Sequence, residues 1–166
     1  MAGMEQLISG LLEALRGKVF LPERQEYTES LNSYFSAQES QVKPACVVRP
    51  QSTADVVTVV SHLVQANQLH GIGSIKFAIR SGGHACFARS ANEPGGVTID
   101  LRSLNSIAVN KGSSEVSIGT GASWGEVYRT LDPMGLAVPG GRHSQVGVGG
   151  LTLGGKITVS SSPFTL

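Results

Sequence analysis

Arg80-Ser81-Gly82-Gly83-His84 is the segment whose residue types and spacing carry the most chemistry in this chain. It closes an alternating run, Ile75-Lys76-Phe77-Ala78-Ile79, that reads as a strand. Two adjacent glycines just past a strand let the backbone turn through conformations closed to other residues, and let successive N–H groups converge on an anion such as a diphosphate. Arg80 or Ser81 could add donors, and His84 would stand as an aromatic base beside whatever the loop holds. On composition alone the segment also reads as a glycine-rich turn with an incidental histidine. A second cluster, running from Pro139-Gly140-Gly141-Arg142-His143 through Val146-Gly147-Val148-Gly149-Gly150 to Gly154-Gly155, favours the ligand reading. Its glycines alternate with apolar residues, where a flexible linker would carry serine and charge. The expectation is backbone packed against a flat ligand.

Two further glycine patterns approach nucleotide motifs and miss on detail. Gly119-Thr120-Gly121-Ala122-Ser123-Trp124 begins like a dinucleotide fingerprint but has Trp124 in place of the third glycine. Gly150 through Gly155-Lys156 satisfies GxxxxGK, yet Ile157 replaces the magnesium-binding Ser or Thr, and Thr158-Val159-Ser160-Ser161 are poor helix formers. No triphosphate loop is predicted.

Several elements must position these loops. Leu7, Leu11, Leu12 and Leu15 recur at helical spacing in an amphipathic stretch from Met4 to Leu15, and a polar stretch from Glu23 to Lys43 with few apolar anchors follows. Ala45-Cys46-Val47-Val48, bounded by Pro44 and Pro50, fits a buried strand. Ser52-Thr53-Ala54-Asp55 resembles a helix-capping signature, with Val56, Val59, Val60, Leu63 and Val64 expected on one helix face. With the strand before Arg80 this makes a strand–helix–strand crossover with parallel strands. Beyond it the chain is β-rich: Gly96–Leu101, Ser106–Val109 and Glu115–Ile118 read as strands, the last two joined as a hairpin through Asn110-Lys111-Gly112. Trp124 to Leu131 reads as a short helix entered through Ser123 and closed by Pro133 and Gly135.

Composition narrows the function classes. With 40% hydrophobic and 15% charged residues in 166, the chain is a globular sequence with no apolar run of transmembrane length. A net charge of +1 gives no footprint for nucleic acid or anionic lipid, so neither nucleic acid nor membrane is expected as a partner. Eighteen of the 21 glycines fall between Gly71 and Gly155, where the loops above lie. Cys46 and Cys86 have no disulfide-framework or metal spacing, so no metal is expected and Cys46 reads as a buried thiol. No apolar core with a small-residue cleavage site follows the N-terminal stretch, from which a reducing, cytoplasmic compartment is inferred.

Four segments occur in order: Ile79-Arg80-Ser81-Gly82-Gly83-His84, a strand ending in Ile99-Asp100-Leu101, Gly119–Trp124, and Gly140-Gly141-Arg142 through Gly150. In this register the chain resembles the FAD-binding domain of the vanillyl-alcohol oxidase and p-cresol methylhydroxylase (PCMH) type, and within it the berberine-bridge-enzyme-like fungal FAD-linked oxidoreductases of secondary-metabolite pathways. The resemblance implies an α+β fold: a small parallel βαβ subdomain and a mixed or antiparallel β subdomain. It divides the chain into an N-terminal helical extension over 1–39, the FAD-binding domain over 40–155 and a divergent tail over 156–166. It implies that Arg80, Ser81, Gly82, Gly83 and His84 cradle the FAD pyrophosphate, with a ring nitrogen of His84 joined covalently to the 8α methyl of the isoalloxazine. Gly140, Gly141, Val146, Gly147, Gly149 and Gly150 would line the adenosine and diphosphate side. A histidyl link holds the flavin and withdraws electron density, making it a stronger oxidant, and the cofactor carries the redox chemistry. The implied activity is oxidation of a small organic substrate, with hydride passing to the flavin and electrons onward to molecular oxygen.

Two departures qualify the resemblance. His143 stands where bicovalent members carry a cysteine, and Cys86 lies in a different motif, so a thioether to the flavin is not expected. His143 is left open between a polar loop residue and a flavin contact. After Gly155 the family pattern is lost, and the substrate domain and the catalytic base it would carry are expected to be absent. Gly155-Lys156 is encodable as GGTAAG, which contains a common splice-donor sequence, so a retained intron or a misplaced gene boundary is one expectation for the break. The alternatives to an oxidoreductase or its N-terminal fragment are an inactive FAD-fold remnant or interaction module, and a flavin-free template for a non-redox cyclisation.

Overall fold

The computed structural model describes residues 2–110, 112 and 115–155. The tail from Lys156 and Lys111 of the hairpin turn lie outside the described residues. The first half of the chain builds a four-stranded sheet in the order β1-β2-β4-β3. β1 is Val19–Phe20, β2 Cys46–Val48, β3 Phe77–Arg80 and β4 Val97–Asp100. The expected crossover is present, with α4 (Thr53–His70) between β2 and β3. The two crossover strands are not neighbours, however. β4 inserts between them, parallel to both, with Ile99 facing Val48 on one side and Ile79 on the other. β1 pairs antiparallel with β2. β2 and β4 are buried throughout, so that β2 reads as a continuous apolar run while β4 also buries Thr98 and Asp100, whereas edge strand β3 leaves Phe77 and Ile79 about half exposed.

α1 (Ala2–Ala14) lies antiparallel on α4. A Cβ on Gly3 would sit 2.8 Å from the His70 ring and one on Gly10 3.2 Å from that of His62, so the absence of side chains lets the helices approach closely. Leu7, Leu11 and Leu15 join Val59, Leu63, Val97 and Ile99 in the main core. The face of α4 differs from its expected one. Asp55, Val59, Leu63 and Ala66 are buried, while Val60 and Val64 are exposed by 40% and 50%, because the sheet and α1 together cover one narrow stripe. The cap of α4 works on one side only. Ser52 Oγ accepts from the Asp55 N–H, but the Asp55 carboxylate turns away to Gln51 N–H and Lys18 Nζ, each at 2.7 Å. The polar stretch folds into α2 (Gln25–Asn32) and α3 (Ala37–Ser40), and its few apolar residues, Tyr27, Leu31 and Tyr34, pack with Phe20 and Val47 on the other side of the sheet.

The second half is built on the expected hairpin. β5 (Ile107–Asn110) and β6 (Glu115–Ile118) pair antiparallel, with Val109 opposite Val116. Their inward residues Ile107, Val109, Val116 and Ile118 pack with α5 (Trp124–Leu131). α5 opens on a reciprocal capping box: Ser123 Oγ accepts from Glu126 N–H while the Glu126 carboxylate accepts from Ser123 N–H at 2.7 Å. It closes through a 3₁₀ turn over Asp132–Met134, with Gly135 in the left-handed conformation. The second glycine cluster departs from expectation, since its last part is a helix, α6 (Val148–Gly154). Gly150 and Gly154 therefore belong to a helix, not to a loop preceding one, while Lys156, Ile157 and the residues after them lie outside the described residues. The α+β organisation with a parallel crossover unit and an antiparallel unit is as expected. Among the described residues no helix is long and apolar enough to cross a membrane.

Candidate functional site

The loop leaving the C-terminal end of β3 meets the two other glycine-bearing segments at one place. Ser81 Oγ donates to Thr120 O at 2.7 Å, Val148 N–H to Ala122 O at 2.8 Å and Trp124 N–H to Val146 O at 3.0 Å, and Ser123 bridges Gly147. Gly82 and Gly147 stand back to back: a Cβ on Gly147 would lie 2.2 Å from Gly82 N, and one on Gly82 2.5 Å from Gly147 N. Gly140 and Gly141 face the Trp124 ring, and Gly149 faces Thr120 O. Tyr128 Oη donates to Gly141 O at 2.7 Å, and the Val146 side chain packs with the α5 core. Most of these glycines are therefore required by protein meeting protein, where the sequence suggested backbone meeting a flat ligand. Gly150 alone of the predicted set has nothing among the described residues within 4 Å of its Cβ position. Gly83 is at φ +70°, with its Cβ direction 2.8 Å from Arg80 Nε, so both conformation and space demand glycine there.

These segments border a cavity of about 660 Å³ whose walls include Gly82 and His84, Ser33 and Phe35 from the N-terminal part of the chain, and Arg102 and Gln145. A cavity of about 680 Å³ between the hairpin and the residues after α5 is lined by Val116, Pro133, Met134 and Leu136 among others, and holds none of the predicted site residues. In the first cavity the His84 imidazole lies on the Phe35 ring, with centroids 4.0 Å apart and planes within 15°; the tilted His143 ring is 4.8 Å away on centroids. His84 Nε2 is enclosed and has no hydrogen-bond partner among the described residues. Burial lowers the His84 pKa below that of a free imidazole and the charge of His143 lowers it further, against a backbone hydrogen bond, so the ring is neutral at pH 7. His143 Nδ1 accepts from Gln145 N–H at 3.3 Å. Cys86 is exposed and Cys46 fully buried, with the Cys46 thiol pushed up to about 12 by burial.

Arg80 goes elsewhere. Its side chain is fully buried, and its guanidinium lies over Tyr34 at 3.7 Å while donating to the carbonyl oxygens of Ser30 and Ser33 at 2.5 and 2.9 Å. It is a strut under the loop, not a group in the cavity wall. Burial first, and then the neighbouring Arg102 charge, draw its pKa down to about 10, which leaves it charged at neutral pH. The compensating charge is Asp100, also fully buried at the end of β4. Arg102 grips Asp100 bidentately at 2.8 and 2.6 Å, Ser30 Oγ donates to it at 3.0 Å, and Arg49 stands 3.6 Å away. Burial pulls the Asp100 carboxyl up, but the hydrogen bonds and charge of Arg102, with Arg80 behind it, more than reverse this and hold it below the ordinary carboxylate range. Glu39, equally buried, accepts from Ser90 N–H and Ala91 N–H at 3.3 and 2.7 Å and ties down the loop that follows His84.

Sequence reasoning had noted Asp100 within a motif but not its partners Arg102, Arg49 and Ser30, nor Ser33, Phe35 and Glu39. An aspartate ending a strand that is otherwise Val97, Thr98 and Ile99, with an arginine two residues on, was the available signal.

Residues 44–164 match the FAD binding domain family. The chain is 40% identical over 158 residues to the FAD-dependent monooxygenase drtC of Aspergillus calidoustus, covering 95% of this chain and 29% of that protein. It is 35% identical to the FAD-dependent monooxygenase tpcD of Cochliobolus heterostrophus, covering 92% and 29%. Among solved structures it superposes on a BBE-like protein of Arabidopsis thaliana with a TM-score of 0.67 at 29% identity, covering 85% and 28%. On aclacinomycin oxidoreductase it superposes with a TM-score of 0.69 at 29% identity, covering 84% and 27%. The chain thus spans under a third of the length of these relatives. With its crossover sheet, its hairpin unit and its three converging glycine segments, the chain belongs to the FAD binding domain family of flavin-dependent oxidoreductases and monooxygenases.

Proposed function

We propose that this chain supplies the FAD-binding part of an FAD-linked oxidoreductase that oxidises a small organic metabolite in a fungal secondary-metabolite pathway, with the flavin joined covalently to His84. The observation that carries the reading is the state of that histidine: a neutral imidazole in the wall of the cavity, next to the Gly82-Gly83 turn, with an enclosed nitrogen that none of the described residues satisfies. Such an orphaned nitrogen fits a site completed by a further group.

In this reading the turn at Ser81, Gly82 and Gly83 holds the pyrophosphate, and Gly140, Gly141, Val146, Gly147, Gly149 and Gly150 form the adenosine and diphosphate side. Arg80 serves through its grip on Ser30 and Ser33, which fixes the turn from beneath. Arg102, bordering the cavity with part of its side chain, adds positive charge on the phosphate side. His84 anchors the cofactor. The chemistry that the flavin would supply when bound is acceptance of hydride from the substrate and return of the electrons to molecular oxygen.

The test is attachment. The chain is incubated aerobically with FAD, freed of unbound flavin and precipitated with acid. The expected result is flavin absorbance in the pellet and an intact mass raised by one FAD, both lost in His84→Ala. A wild-type chain that stays colourless, or a His84→Ala pellet that keeps its flavin, refutes the reading.

A further inference from the structure

Phe35 is an aromatic side chain with 55% exposure on the cavity wall, and it lies ahead of the residues that match the family. Two independent contacts join it to the loop that carries His84. Its backbone N–H donates to Gly83 O at 3.1 Å, and its ring lies nearly parallel to the His84 imidazole. The segment that presents it is held firmly: Ser33 accepts from both Arg80 and Arg102, Tyr34 lies under the Arg80 guanidinium, and Ser36 caps α3 through Glu39 N–H. The two stacked rings thus stand on one buried network of hydrogen bonds.

A parallel ring constrains an imidazole in a particular way. It covers one face and resists rotation about the bond to the ring, while the edge that carries the nitrogen lone pairs, which lie in the ring plane, stays open. An aliphatic side chain of similar volume fills the space without imposing that plane. We infer that Phe35 is a positioning residue for flavin attachment, holding the His84 imidazole in one plane, so that the N-terminal segment is part of the functional site. This rests on the reading of His84 as the attachment point. Attachment forms a bond between an imidazole nitrogen and the 8α carbon as one C–H bond of that methyl breaks. The imidazole hydrogen and the methyl hydrogen, with two electrons in all, end on molecular oxygen as hydrogen peroxide.

The test compares Phe35→Leu, Phe35→Ala and Phe35→Trp in the full chain, each checked for folding by circular dichroism. Two quantities are measured: the rate of acid-stable flavin formation at saturating FAD in air, and, in flavin-free protein, the ring-current shift of the His84 ring protons by NMR. The wild type is expected to show upfield-shifted His84 protons. Phe35→Leu and Phe35→Ala should lose the shift and attach flavin about 3- to 10-fold more slowly, the scale of an aromatic pair, and Phe35→Trp should restore both. Undiminished attachment in Phe35→Leu, or unshifted His84 protons in the wild type, overturns this inference alone. A wild type that forms no acid-stable flavin overturns the His84 reading and this inference with it.

Discussion

Replacing Gly147 by alanine separates two reasons for a glycine at the cradle. If the glycine admits a ligand, alanine weakens FAD binding and leaves the fold intact; if it admits another stretch of backbone, alanine strains the fold with no cofactor present. The geometry favours the second. Gly147 has φ −73° and ψ 140°, which alanine adopts freely, so the cost is steric. The new methyl would sit 2.2 Å from Gly82 N, 2.5 Å from Ser81 Oγ and 2.7 Å from Gly82 Cα, where ordinary contact begins at 3.4 Å. Ser81 Oγ could rotate away, at the loss of its bond to Thr120 O, but the Gly82 backbone has to move by about 1 Å. Overpacking against a tight interior costs about 1–3 kcal/mol, and a backbone obstacle puts this site at the upper end, about 3 kcal/mol. Gly150→Ala is the control: it adds a methyl into open space within α6 and is expected to stabilise by about 0.5–1 kcal/mol. Urea denaturation of flavin-free protein, followed by Trp124 fluorescence, measures both. A Gly147→Ala midpoint equal to wild type, with FAD binding lost, would refute the internal-packing argument and restore the ligand-packing one.

Other outcomes follow from the buried ion-pair network, the two thiols and the cap of α5. Asp100→Asn leaves Arg102, Arg80 and Arg49 without their shared counter-charge and should cost about 3–5 kcal/mol in the same denaturation assay. Because the fold lowers the Asp100 pKa, its contribution is complete above the unfolded value of about 3.9 and is lost as pH falls through the folded value. The wild type should therefore lose stability steeply below about pH 4, and Asp100→Asn should show a shallower slope there. In a thiol titration with an aromatic disulfide, exposed Cys86 should react at once, and buried Cys46, its thiol pushed up to about 12, only on unfolding; two fast thiols would contradict its burial. Ser123→Ala removes one half of the α5 capping box and should cost about 1 kcal/mol, read as a lowered melting temperature.

What the sequence made legible was local. The strand over Val97–Asp100, the caps at Ser52 and Ser123 and the Trp124–Leu131 helix are encoded within a few residues of where they act, and the structure has them there. What it hid was long-range pairing. Arg80 read as a ligand donor because its own segment ends in a glycine turn. Its true partners, Ser30 and Ser33, are 50 and 47 positions away. Val60 and Val64 looked buried because a helix face can be read from spacing, but its width depends on what covers it. The glycines were visible as a cluster, yet that Gly147 stands against Gly82 is a property of two segments at once. Phe35 lies in the polar stretch from Glu23 to Lys43, whose few apolar residues show no sustained periodicity.

The insertion of β4 between β2 and β3 also governs when the cradle can form. β3 precedes β4 in the chain but pairs with β4 and not with β2, so it has no strand to join until β4 has been made. The turn after β3 then takes its shape from closures spanning 39 positions at Ser81–Thr120 and 70 at Ser30–Asp100. Such closures lose chain entropy before their contacts repay it, and they form late and slowly. The site is thus among the last parts of the molecule to be assembled, and defects in the cradle will be felt first as a reduced yield of folded chain, before any flavin has been bound.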